Sequence, residues 1–177
     1  MDKPKIILLE NSKSDANAIA ALIDLHYTIV PEIGTKDLKK LISVIAKYTD
    51  VHIDPKERQK ARDYISAFIA ANKDDTKCFI VDYELKEDDN NNNCDGVSFC
   101  TDFEAEIGDI PILFFTKTMD HDEILRIKKH VEFHARYADF TFKKEHWKES
   151  SAFKEELLAM ISGLISQFNQ ALNKPPY

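Results

Sequence analysis

The chain has 177 residues, of which 44% are hydrophobic and 31% are charged, a composition typical of one globular domain spanning residues 1–177. The net charge of −7 disfavours nucleic acid as the main ligand, because binding to phosphates needs a basic surface. No stretch is long and apolar enough for a membrane span or has the pattern of a signal peptide. The three cysteines form no CxxC pair, so we expect a reduced, cytoplasmic protein.

Two short strands and a helix are predicted at the start of the chain. Residues 5–9 (KIILL) form an apolar run that predicts the first strand, and residues 27–30 (YTIV) predict the second. Between them, apolar residues recur at helical spacing, and Ser14 or Asp15 is expected to cap that helix.

Two helices are then predicted before the third strand. Thr35 is expected to cap the first of them, and Asp54 followed by Pro55 marks the start of the second, which runs to about residue 71. One crossover between neighbouring parallel strands needs a single helix, so one of the two is interpreted as an insertion.

The third strand ends on an acid, and two further strands follow. Residues 78–81 are apolar and lead directly into Asp82, the pattern of a strand buried on both faces. A polar loop (EDDNNNNC) comes next, then a helix over about residues 97–107 and a fourth strand at residues 111–115 (PILFF).

The last part of the chain predicts helix, strand and helix. Asp120 and Glu123 have the spacing of a capping box for a helix that ends near residue 136, and residues 140–142 predict a fifth strand. The final helix carries apolar residues at helical spacing, namely Phe153, Leu157, Ile161, Leu164, Ile165 and Phe168. This alternation predicts an α/β fold, an open parallel sheet with helices on both faces and an extra helix between strands 2 and 3.

Polar residues lie where the predicted strands end. They are Glu10, Asn11, Asp82, Thr116, Lys143 and Lys144. In an open parallel sheet, ligands bind at the carboxyl ends of the strands. Carboxylates suit a hard cation, and a hydroxyl and an ammonium group suit an anionic oxygen group.

Five segments, in order, resemble the receiver domain of two-component response regulators (CheY-like). They are ILLEN, FIVDYEL, CDGVSF, IPILFFT and ADFTFKK. The resemblance implies a flavodoxin-like, doubly wound parallel sheet of five strands in the order 2-1-3-4-5. It implies that Asp82 accepts a phosphoryl group in a phosphorelay. It also implies a Mg²⁺ site whose ligands are Glu10, Asn11, Asp82 and the backbone carbonyl of Glu84.

The resemblance also assigns the phosphoryl-binding and switch residues. Thr116 is implied as the hydroxyl ligand, and Phe140 as the switch aromatic. Counting from Ala138 favours Lys144 as the family's lysine, whereas placing Phe140 at the switch position favours Lys143.

The family implies partners rather than a catalysed reaction. A histidine kinase or phosphotransfer protein is expected upstream. A downstream protein, or a second copy of the chain, is expected on the face made by the family's fourth helix, fifth strand and fifth helix. In this sequence that face includes His130, His134 and Tyr137.

Several residues depart from the family pattern. Asn11 replaces the second acid, Lys86 stands where a proline is usual, and EDDNNN enlarges a loop. If the family's lysine is Lys144, Glu145 stands in place of the proline usual after it. Because an amide contributes no charge, we expect weak Mg²⁺ binding and slow or absent phosphorylation of Asp82. The alternative is a pseudo-receiver, an interaction module that works without phosphoryl chemistry. An enzyme is disfavoured, since LLENS lacks the DxD motif of a haloacid-dehalogenase-like phosphatase.

Purely structural roles are alternatives to some of these functional assignments. Asp82 can be a structural acid, and Asn11 a turn residue. His130 and His134 are four residues apart on a helix, but HVEFH is not a zinc-protease motif, so a solvated helix face is favoured over a metal site.

Overall fold

The computed structural model of the chain describes residues 3–85, 95–116, 121–134, 138–143 and 151–172. Strands and helices alternate along the chain. The strands are β1 (Lys5–Leu9), β2 (Thr28–Val30), β3 (Thr76–Asp82), β4 (Ile112–Thr116) and β5 (Ala138–Lys143). The helices are α1 (Lys13–Ile23), α2 (Lys36–Thr49), α3 (Pro55–Asn72), α4 (Gly96–Asp102), α5 (Glu104–Ile107), α6 (His121–His134) and α7 (Ser151–Leu172).

The strands form one parallel sheet. β1 pairs with β2 on one side and with β3 on the other, and β3 pairs with β4. The predicted α/β fold with strand order 2-1-3-4 is therefore confirmed. β5 lies at the opposite edge of the sheet from β2. It pairs in parallel with β4, from Ile112↔Ala138 to Thr116↔Lys143.

Both faces of the sheet are covered, which explains the apolar runs in the strands. In β1, Ile7 and Leu9 pack with residues of α2 to α6, whereas Ile6 and Leu8 pack with α1 and α7. Successive strand residues point to opposite faces, so a strand with helices on both sides must be apolar at every position. β4 meets that demand, since all of its residues are buried.

The predicted helix starts are confirmed in two cases and wrong in one. The side chain of Thr35 caps α2, and that of Asp54 caps α3 ahead of Pro55. For α1, however, the cap is Ser12, whose hydroxyl accepts from the backbone N–H of Asp15 at 3.4 Å. The chain turns into the helix almost directly after β1, so the first residue with extended backbone and a suitable hydroxyl precedes the predicted ones.

The single helix predicted over residues 97–107 is also wrong. The segment forms α4 and α5, which are separated at Phe103, a residue with φ −110° and ψ 20°. The Phe103 ring is fully buried against the rings of Tyr48 (centroids 5.2 Å apart) and Phe99 (4.8 Å). Apolar spacing alone does not reveal such a break.

The two helices between β2 and β3 are present as predicted, and a polar cluster joins them to α4. The Tyr48 hydroxyl donates to Asp102 Oδ2 at 2.7 Å, and Arg62 donates to the Asp102 carbonyl at 2.7 Å. The Arg62 guanidinium also lies over the Phe103 ring, 5.0 Å from its centre. The far end of α4 is thus held by both α2 and α3.

Several predicted features lie outside the described residues: the EDDNNNNC loop, Asp120 of the capping box, Tyr137, Lys144 and Glu145. Among the helices in the described part of the chain, none combines the length and the hydrophobicity that crossing a membrane requires.

The Tyr48–Asp102 hydrogen bond provides a test of how α2 is attached to α4. We expect Tyr48→Phe to lower the free energy of unfolding by about 1 kcal/mol, since it removes the bond to Asp102 and the longer one that the hydroxyl accepts from Arg62 at 3.3 Å, while keeping the ring. In a double-mutant cycle with Asp102→Ala, followed by urea denaturation, the two changes are expected to couple by about 0.5–1.5 kcal/mol. Strictly additive effects would show that the bond contributes nothing.

Candidate functional site

Three of the predicted site residues meet at the carboxyl end of the sheet. Glu10 directly follows β1, Asp82 ends β3 and Thr116 ends β4. Leu9 pairs with Val81, so Glu10 and Asp82 continue neighbouring strands whose axes are about 4.8 Å apart. All three are buried, with exposed fractions of 1%, 2% and 0%. Two carboxylates and a hydroxyl are therefore held close together away from solvent.

Backbone N–H groups orient the two carboxylates. The N–H of Ser12 donates to Glu10 Oε1 at 3.0 Å, and the N–H of Glu84 donates to Asp82 Oδ1 at 3.2 Å. In both cases the donor lies two residues after the acid, as in an Asx-type turn. Hydrogen bonds to the charged form offset part of the cost of burying it.

Asn11 does not act as the sequence predicts. Its Nδ2 atom donates a hydrogen bond to the backbone carbonyl of Glu84 at 3.1 Å. A carbonyl only accepts, so it is the amide nitrogen, not the amide oxygen, that faces Glu84. These two groups were expected to be separate ligands of one cation, and here they bind each other.

This bond decides how well the site suits Mg²⁺. Mg²⁺ requires oxygen ligands in near-octahedral geometry. The carboxylates of Glu10 and Asp82 are of the correct type, but the other two groups of the expected set, at Asn11 and Glu84, are engaged with each other. In the part of the chain that the structure describes, no cluster of three or more His, Cys, Asp or Glu side chains has an arrangement that would hold a metal. The expected four-ligand set thus does not fit the ion as arranged.

Gly96 fixes the position of α4 against the site. A Cβ atom at Gly96 would lie 2.2 Å from the backbone oxygen of Asp82, far inside the van der Waals limit. The Gly96 N–H donates to the Tyr83 carbonyl at 2.7 Å, and the side chain of Asp95 caps the helix by accepting from Ser98 N–H at 2.7 Å. The Asp-Gly pair in CDGVSF therefore opens α4, and the glycine allows its close approach to β3.

Sequence reasoning missed a contact between the end of β3 and α6. The hydroxyl of Tyr83 lies 3.4 Å from His130 Nδ1, and Asp95 Oδ2 lies 3.6 Å from the same nitrogen. Burial raises the pKa of Tyr83 to about 12, and nearby carboxylates, Asp95 first among them, act in the same direction. The His130 side chain is only 29% exposed, so it is not part of a fully solvated face. The sequence feature that could have pointed to this contact is the position of Tyr83 directly after Asp82.

The remaining predicted site residues lie in or after β5. Lys143 ends that strand opposite Thr116, which brings its backbone to the same edge of the sheet. Phe140 pairs with Leu113 in the same strand. The side chains of Lys143 and Phe140, and all of Lys144, lie outside the described part of the structure, so their roles stay predictions.

Comparison with solved structures identifies the fold. A response-regulator receiver domain from Clostridium thermocellum matches 94% of this chain and 98% of its own length, with 12% identity and a TM-score of 0.52. A response regulator from Burkholderia pseudomallei, whose structure contains a phosphorylated aspartic acid, a calcium ion and citrate, matches 98% of this chain and 76% of its own, with 18% identity and a TM-score of 0.50. A fusion protein containing residues 181–211 of the yeast Spc42 trimeric coiled coil matches 96% of this chain and 79% of its own, with 16% identity and a TM-score of 0.56.

The chain therefore has the fold of response-regulator receiver domains, in a divergent form. No family model and no curated protein matches the sequence. At these identities the likeness concerns the fold, and the chemistry of the site has to be argued from the residues present.

Gly96 offers a test of the close approach of α4 to β3. We expect Gly96→Ala to lower the free energy of unfolding by about 2–3 kcal/mol, because the added methyl group meets the Asp82 backbone, which cannot move without disturbing the sheet. Gly163→Ala is the matched control. Nothing lies within 4 Å of its added Cβ and it sits inside α7, so the substitution is expected to stabilise by about 0.5–1 kcal/mol. Equal tolerance of the two substitutions in thermal denaturation would contradict the packing described.

Proposed function

We propose that this chain is a receiver-type signalling module in which Asp82 accepts a phosphoryl group and the domain passes the change to a protein partner. The observation that carries the proposal is the burial of Asp82 at the end of the central strand β3, with Glu10 and Thr116 ending the two neighbouring strands. An acid placed there by chance would have no reason to be accompanied by a second buried acid and a buried hydroxyl. The phosphorylated aspartic acid in the structurally similar Burkholderia protein supports the same assignment.

The chemistry follows from groups that the chain itself supplies. A carboxylate oxygen of Asp82 attacks phosphorus, the bond from phosphorus to the donor breaks, and the donor leaves as imidazole or as a carboxylate such as acetate. The product is an acyl phosphate on Asp82. The Thr116 hydroxyl donates to a phosphoryl oxygen, and the lysine at the end of β5, Lys143 or Lys144, neutralises negative charge. Because only 2% of Asp82 is exposed, the surrounding residues must open before a donor can approach, which predicts slow transfer.

The proposal includes partners on both sides of the signal. A histidine kinase or a phosphotransfer protein supplies the phosphoryl group, in the cytoplasm. The output surface comprises α6, β5 and α7, where a downstream protein or a second copy of the chain binds. Leu125 on α6 is 45% exposed, which gives that surface an apolar contact point. The module itself catalyses no reaction on a separate substrate.

A second candidate function is favoured by the hydrogen bond from Asn11 to Glu84. In a pseudo-receiver the same fold and the same surface serve protein binding, without phosphorylation of Asp82. A site whose expected cation ligands bind each other suits that function, since phosphoryl transfer places several negative charges in one small space.

Labelling by acetyl phosphate separates the two candidates. We expect the unaltered protein to gain the mass of one phosphoryl group slowly, and Asp82→Asn to gain none. Asp109→Asn, which changes an exposed acid after α5, serves as the control and is expected to label like the unaltered protein. Intact-protein mass spectrometry checks the result. Absence of labelling under all conditions would favour the pseudo-receiver, and labelling that survives Asp82→Asn would refute the assignment of the acceptor.

A further inference from the structure

The hydrogen bond between Asn11 and Glu84 joins the segments that follow two neighbouring strands. Asn11 lies just after β1, and Glu84 lies two residues beyond the end of β3, 73 positions later in the chain. The last pair in the β1–β3 ladder is Leu9↔Val81, so the amide ties the two segments together two residues past Leu9 and three past Val81, beyond the end of the ladder. It therefore holds in place the segment that contains the carbonyl of Glu84 and the backbone N–H that orients Asp82.

Only a donor can make this contact. The Glu84 carbonyl lies where solvent reaches it, and it accepts from Asn11 in place of water; only a donor hydrogen or a positive ion can lie against it favourably. An aspartate at position 11 would set a carboxylate oxygen against a carbonyl oxygen, which repel each other unless a cation lies between them. The N–H of an amide carries a partial positive charge and fills the same need without an ion.

The number of acids in the site points in the same direction. Glu10 and Asp82 are two nearly fully buried acids, and an acid at position 11 would be a third in one small region. Like charges at close range repel each other even where one of them is partly solvated, and a divalent cation is one way to offset that repulsion. The neutral amide keeps the number of acids at two.

From these observations we propose that the Asn11 amide is a built-in substitute for a divalent cation. It holds the segment after β3 in the arrangement that a metal would otherwise impose, so the site keeps its shape without metal. An ion that takes both Asn11 and the Glu84 carbonyl as ligands can enter only by breaking the bond between them. The inference concerns how the Asp82 centre of the proposed function is regulated and rests on that function for its biological meaning. The structural claim stands on the hydrogen bond and the two buried acids.

Thermal denaturation of variants at position 11, in EDTA and in millimolar MgCl₂, tests whether the Asn11 amide takes the place of a divalent cation. The unaltered protein is expected to have the same Tm in both solutions. Asn11→Asp is expected to melt about 2–6 °C lower in EDTA, because it loses the hydrogen bond and adds a third acid, and to recover when Mg²⁺ binds. Its apparent Mg²⁺ affinity should exceed that of the unaltered protein by about ten- to one-hundredfold, the scale of one charge-assisted interaction.

Asn17→Asp is the matched control, because it makes the same chemical change at an exposed position of α1. We expect it to leave both the Tm and the response to Mg²⁺ unchanged. The proposal is overturned if the unaltered protein is stabilised by Mg²⁺ as strongly as Asn11→Asp, or if Asn11→Asp behaves like Asn17→Asp.

A second variant and a measurement on the unaltered protein cover the case in which Asn11→Asp fails to fold. Asn11→Ala removes the bond without adding charge, so it should lower the Tm in both solutions equally. In NMR spectra of the unaltered protein, the side-chain amide signals of Asn11 are expected to stay unshifted during a MgCl₂ titration. Saturable shifts would refute the proposal. None of these readouts depends on phosphorylation of Asp82, so the fate of the proposed function is decided separately by the labelling experiment.

Discussion

A parallel sheet brings the carboxyl ends of its strands to one edge, and in this protein that rule places two buried acids, Glu10 and Asp82, on adjacent strands. Burial of one carboxylate is costly, and burial of two side by side is more so unless the surroundings supply compensating groups. The local structure is organised around that requirement. Backbone N–H groups two residues further on bind each acid, and the side chain next to Glu10 is a neutral amide rather than a third acid.

The segment that follows Asp82 is fixed from three sides. Asn11 binds the Glu84 carbonyl, the Tyr83 N–H donates to the Phe115 carbonyl at 2.6 Å, and the Tyr83 carbonyl accepts from Gly96 at 2.7 Å. Because all three bonds involve backbone groups, any movement of this segment has to be shared with β4 and with the start of α4. A displacement of this segment would therefore be passed directly to α4, and through the contact of Tyr83 with His130 to α6. No longer chain of residues is needed to connect the site with these helices.

Much of this could be predicted from the sequence, and the reasons are local. A strand covered on both faces must be apolar throughout, so β3 and β4 were visible as runs that end on Asp82 and Thr116. The caps at Thr35 and Asp54 were visible because their mechanism involves residues three or fewer positions away. The break at Phe103 was not, since it depends on how the ring packs against Tyr48 of another helix.

The chemistry of the site could be predicted only in part, for the same reason. The residue types at the strand ends identified Glu10, Asp82 and Thr116 as neighbours. The sequence could not show that the Asn11 amide turns its nitrogen toward the carbonyl of Glu84, 73 residues away. That contact makes an expected metal ligand a hydrogen-bond donor. Residue type at a position is a local fact, whereas the partner it finds across a sheet is a property of the folded chain.

The most direct test of this account is a high-resolution crystal structure of the unaltered protein grown in the presence of MgCl₂. The account predicts that Asn11 Nδ2 and the Glu84 carbonyl oxygen stay about as close as the 3.1 Å described here, with no ion between the two acids and Glu84. An ion about 2.1 Å from oxygens of Glu10, Asp82 and Glu84, with the Asn11 amide rotated away, would contradict it.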